Sequence, residues 1–153
     1  MIHEAAGCAA TYLGCFRSHS ILAAYVAQRH ARVAVIGAGS KGEFREEDQI
    51  CCAWIAAGLM RKGHLPGNSQ TAEIVRRWRN APPSACLCSR SVDFLRRTNQ
   101  LSDLDFILEH VDDLREVFEV RDGEVKTIRP AARAHGRARR CVRSTAGCNV
   151  LSP

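Results

Sequence analysis

The stretch from residue 33 to residue 48 constrains the fold more than any other part of the chain. A run rich in β-branched residues at 33–36 leads into glycines at positions 37, 39 and 42, and three acids follow at 46–48. The first run predicts a strand that is buried on both faces, and the glycines permit backbone conformations that a Cβ would forbid. Acids are typical of the first turn of a helix, where they complement its dipole. The order therefore predicts a strand, a tight turn and a helix.

The same stretch indicates a site for an anion and a metal ion. Free amide groups in a glycine-rich turn ahead of a helix form a seat for an oxyanion. Glu47 and Asp48 offer carboxylate oxygens to a hard cation such as Mg²⁺, and Lys41 would suit a doubly charged phosphate ester. Taken alone, each of these residues also has a simpler interpretation, as a dipole-complementing or solvated surface side chain.

A nucleotide-binding turn is an alternative interpretation of the glycines. Residues 37–42 match the pattern G-x-G-x-x-G, but the acid that a dinucleotide site needs about 20 residues later is replaced by the turn at 65–69. A P-loop does not fit either, because Lys41 precedes the last glycine and no Ser or Thr follows in register.

A family resemblance favours the phosphate ester over the nucleotide. Residues 39–48, followed by Cys51-Cys52-Ala53, resemble the signature A-G-x-x-G-x-F-x-x-E-D-x-x-C-A of the 2-phosphosulfolactate phosphatase (ComB-like) family. Residues 12–20 resemble the family's G-S-x-x-N-A-S turn, residues 89–95 its serine-rich helix start, and residues 103–123 its closing helix and hairpin. The resemblance covers about residues 8–128.

The resemblance implies a Mg²⁺-dependent phosphatase that hydrolyses 2-phospho-3-sulfolactate to sulfolactate and phosphate, a step of coenzyme M synthesis. We expect Glu47 and Asp48 to be the catalytic residues and the metal ligands. Residues at the turn and at the later helix start would bind the substrate and its phosphate: Gly39, Ser40, Lys41, Gly42, Ser89, Arg90 and Ser91. Ser89 also has a simpler interpretation as a helix N-cap.

The chain departs from the family pattern in one large respect. The motifs of the family's N-terminal lobe, D-V-L-R-A, G-N-S-P and T-T-N-G-T, do not occur in their expected places, so the match is to the C-terminal half only. We therefore expect a partial, half-length family fold that is nearly inactive alone and that joins a missing N-terminal lobe or self-associates. A non-catalytic half-domain that binds an anion or a partner is the alternative.

The element pattern predicts an α/β fold with a mainly parallel sheet, covered by helices and followed by a C-terminal β-hairpin. Helices are expected at 18–30, 45–61, from 69 to the Pro82-Pro83 pair, at 91–98 and at 102–110. Strands are expected at 10–15, 33–37 and 84–88, and a hairpin at 116–128 turns at Asp122-Gly123. The carboxyl ends of the three strands should point the same way, so that their loops converge.

The charge divides the chain into two parts. Residues 1–128 contain 16 basic and 16 acidic residues, whereas residues 129–153 contain six arginines and no acid. The first part is the expected phosphatase lobe. The composition of the second favours a disordered tail over nucleic-acid binding.

Two composition features bear on location. No run reaches the roughly 18 apolar residues of a membrane span, and the first residues lack a basic signal-peptide start, so we expect no membrane contact and a cytoplasmic location. The eight cysteines include no C-x-x-C pair, which favours reduced, mostly buried thiols over zinc.

Overall fold

The structure is a computed structural model that describes residues 7–40 and 42–130. Within those residues, five α-helices, one short 3₁₀ helix and three strands follow each other along the chain. They are β1 (Thr11–Leu13), α1 (His19–Ala27), α2 (Glu46–Met60), α3 (Ser69–Trp78), the 3₁₀ helix (Pro83–Cys86), α4 (Arg90–Arg97), α5 (Leu101–Glu109), β2 (Val117–Arg121) and β3 (Glu124–Ile128). The basic tail expected after residue 128 lies almost entirely outside the described residues.

The sheet is small and antiparallel, in the order β1-β2-β3. Tyr12 lies opposite Glu119, which in turn lies opposite Lys126. Asp122 and Gly123 both have positive φ, at 52° and 77°, as a two-residue hairpin turn requires. The mixed α/β class and the closing hairpin are therefore confirmed, whereas the prediction of a mainly parallel sheet was wrong, because β1 pairs with the hairpin.

The strand predicted at 33–37 is the clearest error. The segment forms no strand and pairs with none among the described residues, and Ile36 is 70% exposed. Val33 and Val35 are only half-buried, where they pack against the core on one face. Branched side chains favour an extended backbone, but a strand also needs a neighbour, and here the three available strands pair with one another.

The strand predicted at 84–88 is replaced by the 3₁₀ helix. Pro83 stands at its first position, where a fixed φ and a missing N–H are tolerated. The Cys86 thiol donates a hydrogen bond to the carbonyl oxygen of Pro83 at 3.1 Å. This tight turn leads directly into α4.

The core lies between α1 and α2 and extends to the hairpin. Leu22 and Val26 of α1 are buried in the same cluster as Ile50 and Leu59 of α2, and Val117 of β2 is fully buried there. The helices approach closely at Gly58, where an added Cβ would lie 2.7 Å from the Cβ of Ala23. Among the described helices, none is both long and apolar enough to cross a membrane.

The close approach at Gly58 gives a test of the fold. Gly58→Val should lower the free energy of unfolding by about 1–3 kcal/mol, because the added side chain would force α1 and α2 apart. Gly67→Val is the matched control, since no heavy atom lies within 4 Å of an added Cβ there. Urea denaturation measures both; equal stability of the two variants would contradict the helix contact.

Candidate active site

The glycine-rich stretch forms a tight turn that only glycine can build. Ser40 and Glu43 exchange two backbone hydrogen bonds, at 3.0 and 2.9 Å. Gly39 and Gly42 have φ of +63° and +78°, in the left-handed region. A Cβ on Gly39 would also lie 2.7 Å from the carbonyl oxygen of Glu43. The turn therefore depends on Gly39 both for its dihedral angle and for its space.

Asp48 ties this turn to the start of α2. Its Oδ2 accepts a hydrogen bond from the amide of Gly39 at 2.6 Å. The amides of Ser40 and Glu43 also donate hydrogen bonds within the protein. These turn amides, which were expected to bind an anion, therefore already have partners. Among the described residues, amides without a partner lie at the start of α2, directly after the glycine turn. Because Arg45 gives α2 no side-chain cap, the amides of its first turn have no partner among the described residues.

A cleft of about 410 Å³ lies between the turn and the first turns of α2. Its walls come from the segment before the turn, from the turn itself, from α2 and from one residue of α3. They are Val35, Gly37, Ala38, Gly39, Gly42, Glu43, Phe44, Arg45, Asp48, Gln49, Cys52 and Ile74. Three of the predicted site residues, Gly39, Gly42 and Asp48, thus line one cleft.

Glu43, which lines the cleft, forms ion pairs with two arginines. Its Oε2 accepts hydrogen bonds from Nη1 of Arg45 at 3.0 Å and from Nη1 of Arg90 at 3.1 Å. Both guanidinium groups lower the pKa of the Glu43 carboxyl, because they favour its charged form. The start of α4 therefore reaches the glycine turn, although 47 residues separate Glu43 from Arg90.

The three predicted serines do not line the cleft. Ser89 is 2% exposed and its Oγ accepts a hydrogen bond from the amide of Val92 at 3.4 Å, so it caps α4. Ser91 is half-buried on the same helix, and Ser40 is exposed in the turn. Lys41 lies outside the described residues.

The two predicted catalytic carboxylates differ in their surroundings. Asp48 lines the cleft, whereas Glu47 does not, and its Oε2 is buried without a hydrogen-bond partner. No group of three or more His, Cys, Asp or Glu side chains that could hold a metal ion lies within residues 7–40 and 42–130. Mg²⁺ is commonly held by one or two carboxylates together with water and substrate phosphate. Asp48 offers one such carboxylate to the cleft, whereas Glu47 does not line it.

The thiols of Cys51 and Cys52 are not nucleophiles at neutral pH. Burial, followed by the charge of Asp48, raises the pKa of Cys52 to about 11. Burial also raises the pKa of Cys51 to about 12. Cys52 therefore contributes packing to the wall of the cleft. The expectation of mostly buried thiols was wrong for half of the described cysteines, because Cys8, Cys15 and Cys88 are exposed.

The residues that resemble the family's G-S-x-x-N-A-S turn lie elsewhere. Arg17 forms a two-pronged ion pair with Asp113, at 2.8 Å for each hydrogen bond. His19 lines a second cleft, of about 240 Å³, together with Trp54, Arg61 and Arg79. Within the described part of the chain, neither Arg17 nor His19 lines the glycine-turn cleft.

Sequence reasoning missed the role of Glu43. The sequence feature that could have indicated this role is an acid inside the glycine turn, two residues before an arginine. The second partner, Arg90, could be found only from the fold.

A sequence model described as 2-phosphosulpholactate phosphatase matches residues 1–123. The chain belongs to this family. The match includes every residue that lines the cleft, and it also includes Arg90 at the start of α4. The 2-phosphosulpholactate phosphatase family is named for a hydrolase that acts on a small phosphorylated and sulfonated acid. Comparisons with curated proteins and with solved structures gave no match.

Thiol reactivity tests the burial of the cleft wall. At pH 8 in the folded protein, iodoacetamide should modify the exposed Cys88 quickly and Cys52 at least about tenfold more slowly, because burial shields Cys52 and raises its pKa to about 11. Peptide mass spectrometry at successive times measures each site. Equal rates at the two cysteines would show that the Cys52 side of the cleft is open to solvent.

Proposed function

We propose that this protein is a Mg²⁺-dependent phosphatase that hydrolyses 2-phospho-3-sulfolactate to sulfolactate and phosphate. The observation that carries the proposal is the family match over residues 1–123, which includes the glycine turn that Asp48 holds against α2. The proposed reaction site is the cleft between that turn and the start of α2. The site and the metal are part of the proposal.

Two arginines near the cleft would bind anionic groups of the substrate. The substrate carries a phosphate, a sulfonate and a carboxylate. Arg45 lines the cleft and Arg90 is ion-paired with Glu43, so these two guanidinium groups offset the charges of Glu43 and Asp48. The uncapped first turn of α2 adds the positive end of a 15-residue helix.

Asp48 argues for a cation in the same cleft. A phosphoryl dianion that approaches the amides of α2 also approaches this carboxylate, and two like charges at such a distance repel each other. A divalent cation between them would turn the repulsion into attraction. Mg²⁺, when bound, polarises the phosphoryl group and stabilises the charge that develops on its oxygens.

Each protein group then has a separate role in the proposal. Asp48 would hold the cation in the cleft, and Glu47 is the second carboxylate that the family resemblance suggests for it. Arg45 and the first-turn amides of α2 would bind phosphoryl oxygens, and Arg90 would orient the sulfonate or carboxylate. Because Oδ2 of Asp48 also fixes the amide of Gly39, the same side chain that would bind the cation keeps the turn in place.

Neutralising the carboxylates tests this proposal. Asp48→Asn should lower Mg²⁺-dependent phosphate release by at least about 100-fold, because an amide keeps the size of the side chain but removes the charge that Mg²⁺ requires. Glu47→Gln should also lower it. The control is Asp105→Asn, the same substitution at an exposed carboxylate on α5.

The assay measures phosphate release from 2-phosphosulfolactate against Mg²⁺ concentration. It uses the full chain alone and the chain mixed with an N-terminal lobe of the family, with which we expect the greater activity. Circular dichroism confirms that each variant is folded. Wild-type rates from both Asp48→Asn and Glu47→Gln would remove these carboxylates from the mechanism.

A further inference from the structure

Gln49 is a polar residue of the glycine-turn cleft that the proposed reaction does not yet use. It lines the cleft together with Arg45, Asp48 and Cys52. These four residues follow the spacing i, i+3, i+4 and i+7, which places them on one face of α2 and its first turn. The Gln49 carboxamide therefore lies beside the Asp48 carboxylate on the wall of the cleft.

A hydrogen bond from α3 fixes the orientation of this carboxamide. The indole Nε1 of Trp78 donates to Oε1 of Gln49 at 2.8 Å. Because an indole N–H can only donate, the atom that it contacts must be the carboxamide oxygen, and the NH₂ group is the end that stays free. Nε2 of Gln49 has no hydrogen-bond partner among the described residues, and it is not buried. Gln49 thus holds two free N–H donors at the cleft wall.

Trp78 is itself held by the core. Nε1 of Trp54, a buried residue of α2, donates to the carbonyl oxygen of Trp78 at 3.1 Å, and the half-buried Trp78 side chain packs against the core cluster. The Gln49 side chain is therefore ordered before any ligand arrives, which lowers the entropy that binding costs. A glutamate at this position could accept the same indole bond, but it would add a negative charge next to Asp48 and offer no donor.

We propose that the NH₂ group of Gln49 binds a phosphoryl oxygen in the cleft, and that Trp78 is the residue that positions it. The inference rests on the proposed function for the identity of the anion. A phosphoryl group that meets a cation at Asp48 also meets the neighbouring donors of Gln49, which are neutral and do not compete for the cation. Gln49 is then a ligand-binding residue, and Trp78 acts only through it.

The direct test is NMR spectroscopy of the ¹⁵N-labelled full chain, titrated with inorganic phosphate at constant Mg²⁺ concentration. Gln49→Met identifies the Gln49 NH₂ signals by their absence. We expect phosphate to shift these signals and to leave those of Gln70, an exposed residue of α3, unchanged. Gln49 signals that do not move at any phosphate concentration would overturn the proposal, as would signals that move with methanesulfonate but not with phosphate.

Variants test the two roles separately, with phosphate affinity measured from the shifts of the amides of residues 46–48. Gln49→Met removes the donors without changing the charge, and it should weaken binding about tenfold, as expected for a lost hydrogen bond to a charged group. Gln70→Met is the matched control and should bind as wild type does. Wild-type affinity in Gln49→Met would overturn the proposal.

Trp78→Phe removes the indole donor and should weaken phosphate binding in the wild-type background but not further in Gln49→Met, because Trp78 acts only through Gln49. Equal weakening in both backgrounds would overturn the positioning role. The titration of wild type decides the role of Gln49 even where a variant fails to fold.

The phosphate titration also separates this inference from the proposed reaction. A phosphate response at Gln49 without hydrolysis of 2-phosphosulfolactate would support the inference while the proposed function failed. Hydrolysis with no phosphate response at Gln49 would overturn the inference and leave the proposed function standing.

Discussion

The hydrogen bond between the Gly39 amide and the Asp48 carboxylate is the contact on which the candidate site depends. It joins a turn to a helix start nine residues later, and at 2.6 Å it is short for an N–H···O hydrogen bond. A Cβ on Gly37 would come within 3.3 Å of the Asp48 side chain, so the chain before the turn also passes close to this carboxylate. With the turn fixed, Glu43 is in place to hold Arg45 and Arg90. The Asp48 carboxylate thus fixes the glycine turn, on one side of the cleft, to the start of α2 on the other.

Local patterns were sufficient to predict the elements that depend on local contacts. The expected helix at 45–61 is α2 at Glu46–Met60, and the expected hairpin turns at Asp122-Gly123 as predicted. The errors fall where pairing between distant residues decides the structure. The run at 33–37 has the composition of a central strand, but no described strand pairs with it. The apolar residues after Pro83 look like a strand, but the proline begins a 3₁₀ helix.

In the candidate site too, residues close in sequence could be placed together from the sequence, whereas contacts between distant residues could not. The glycine turn and the acids at the start of α2 lie close in sequence, and Gly39, Gly42 and Asp48 do line one cleft. The convergence of Arg90 on Glu43 depends on where α4 lies, and no local pattern specifies that. Ser89 shows the opposite case: its position after a turn suits either a cap or a ligand, and burial with a bond to Val92 makes it a cap. Family membership indicates the class of reaction. The roles of individual side chains are our proposal from the geometry of the cleft.

The most direct test of the central claim is a crystal structure of the full chain grown with Mg²⁺ and tungstate, a phosphate mimic that anomalous scattering locates. We expect tungstate in the glycine-turn cleft, within hydrogen-bond distance of Arg45 and the first-turn amides of α2, with a cation beside Asp48. Tungstate bound instead at the second cleft, beside His19, Arg61 and Arg79, with the glycine-turn cleft empty, would contradict the claim.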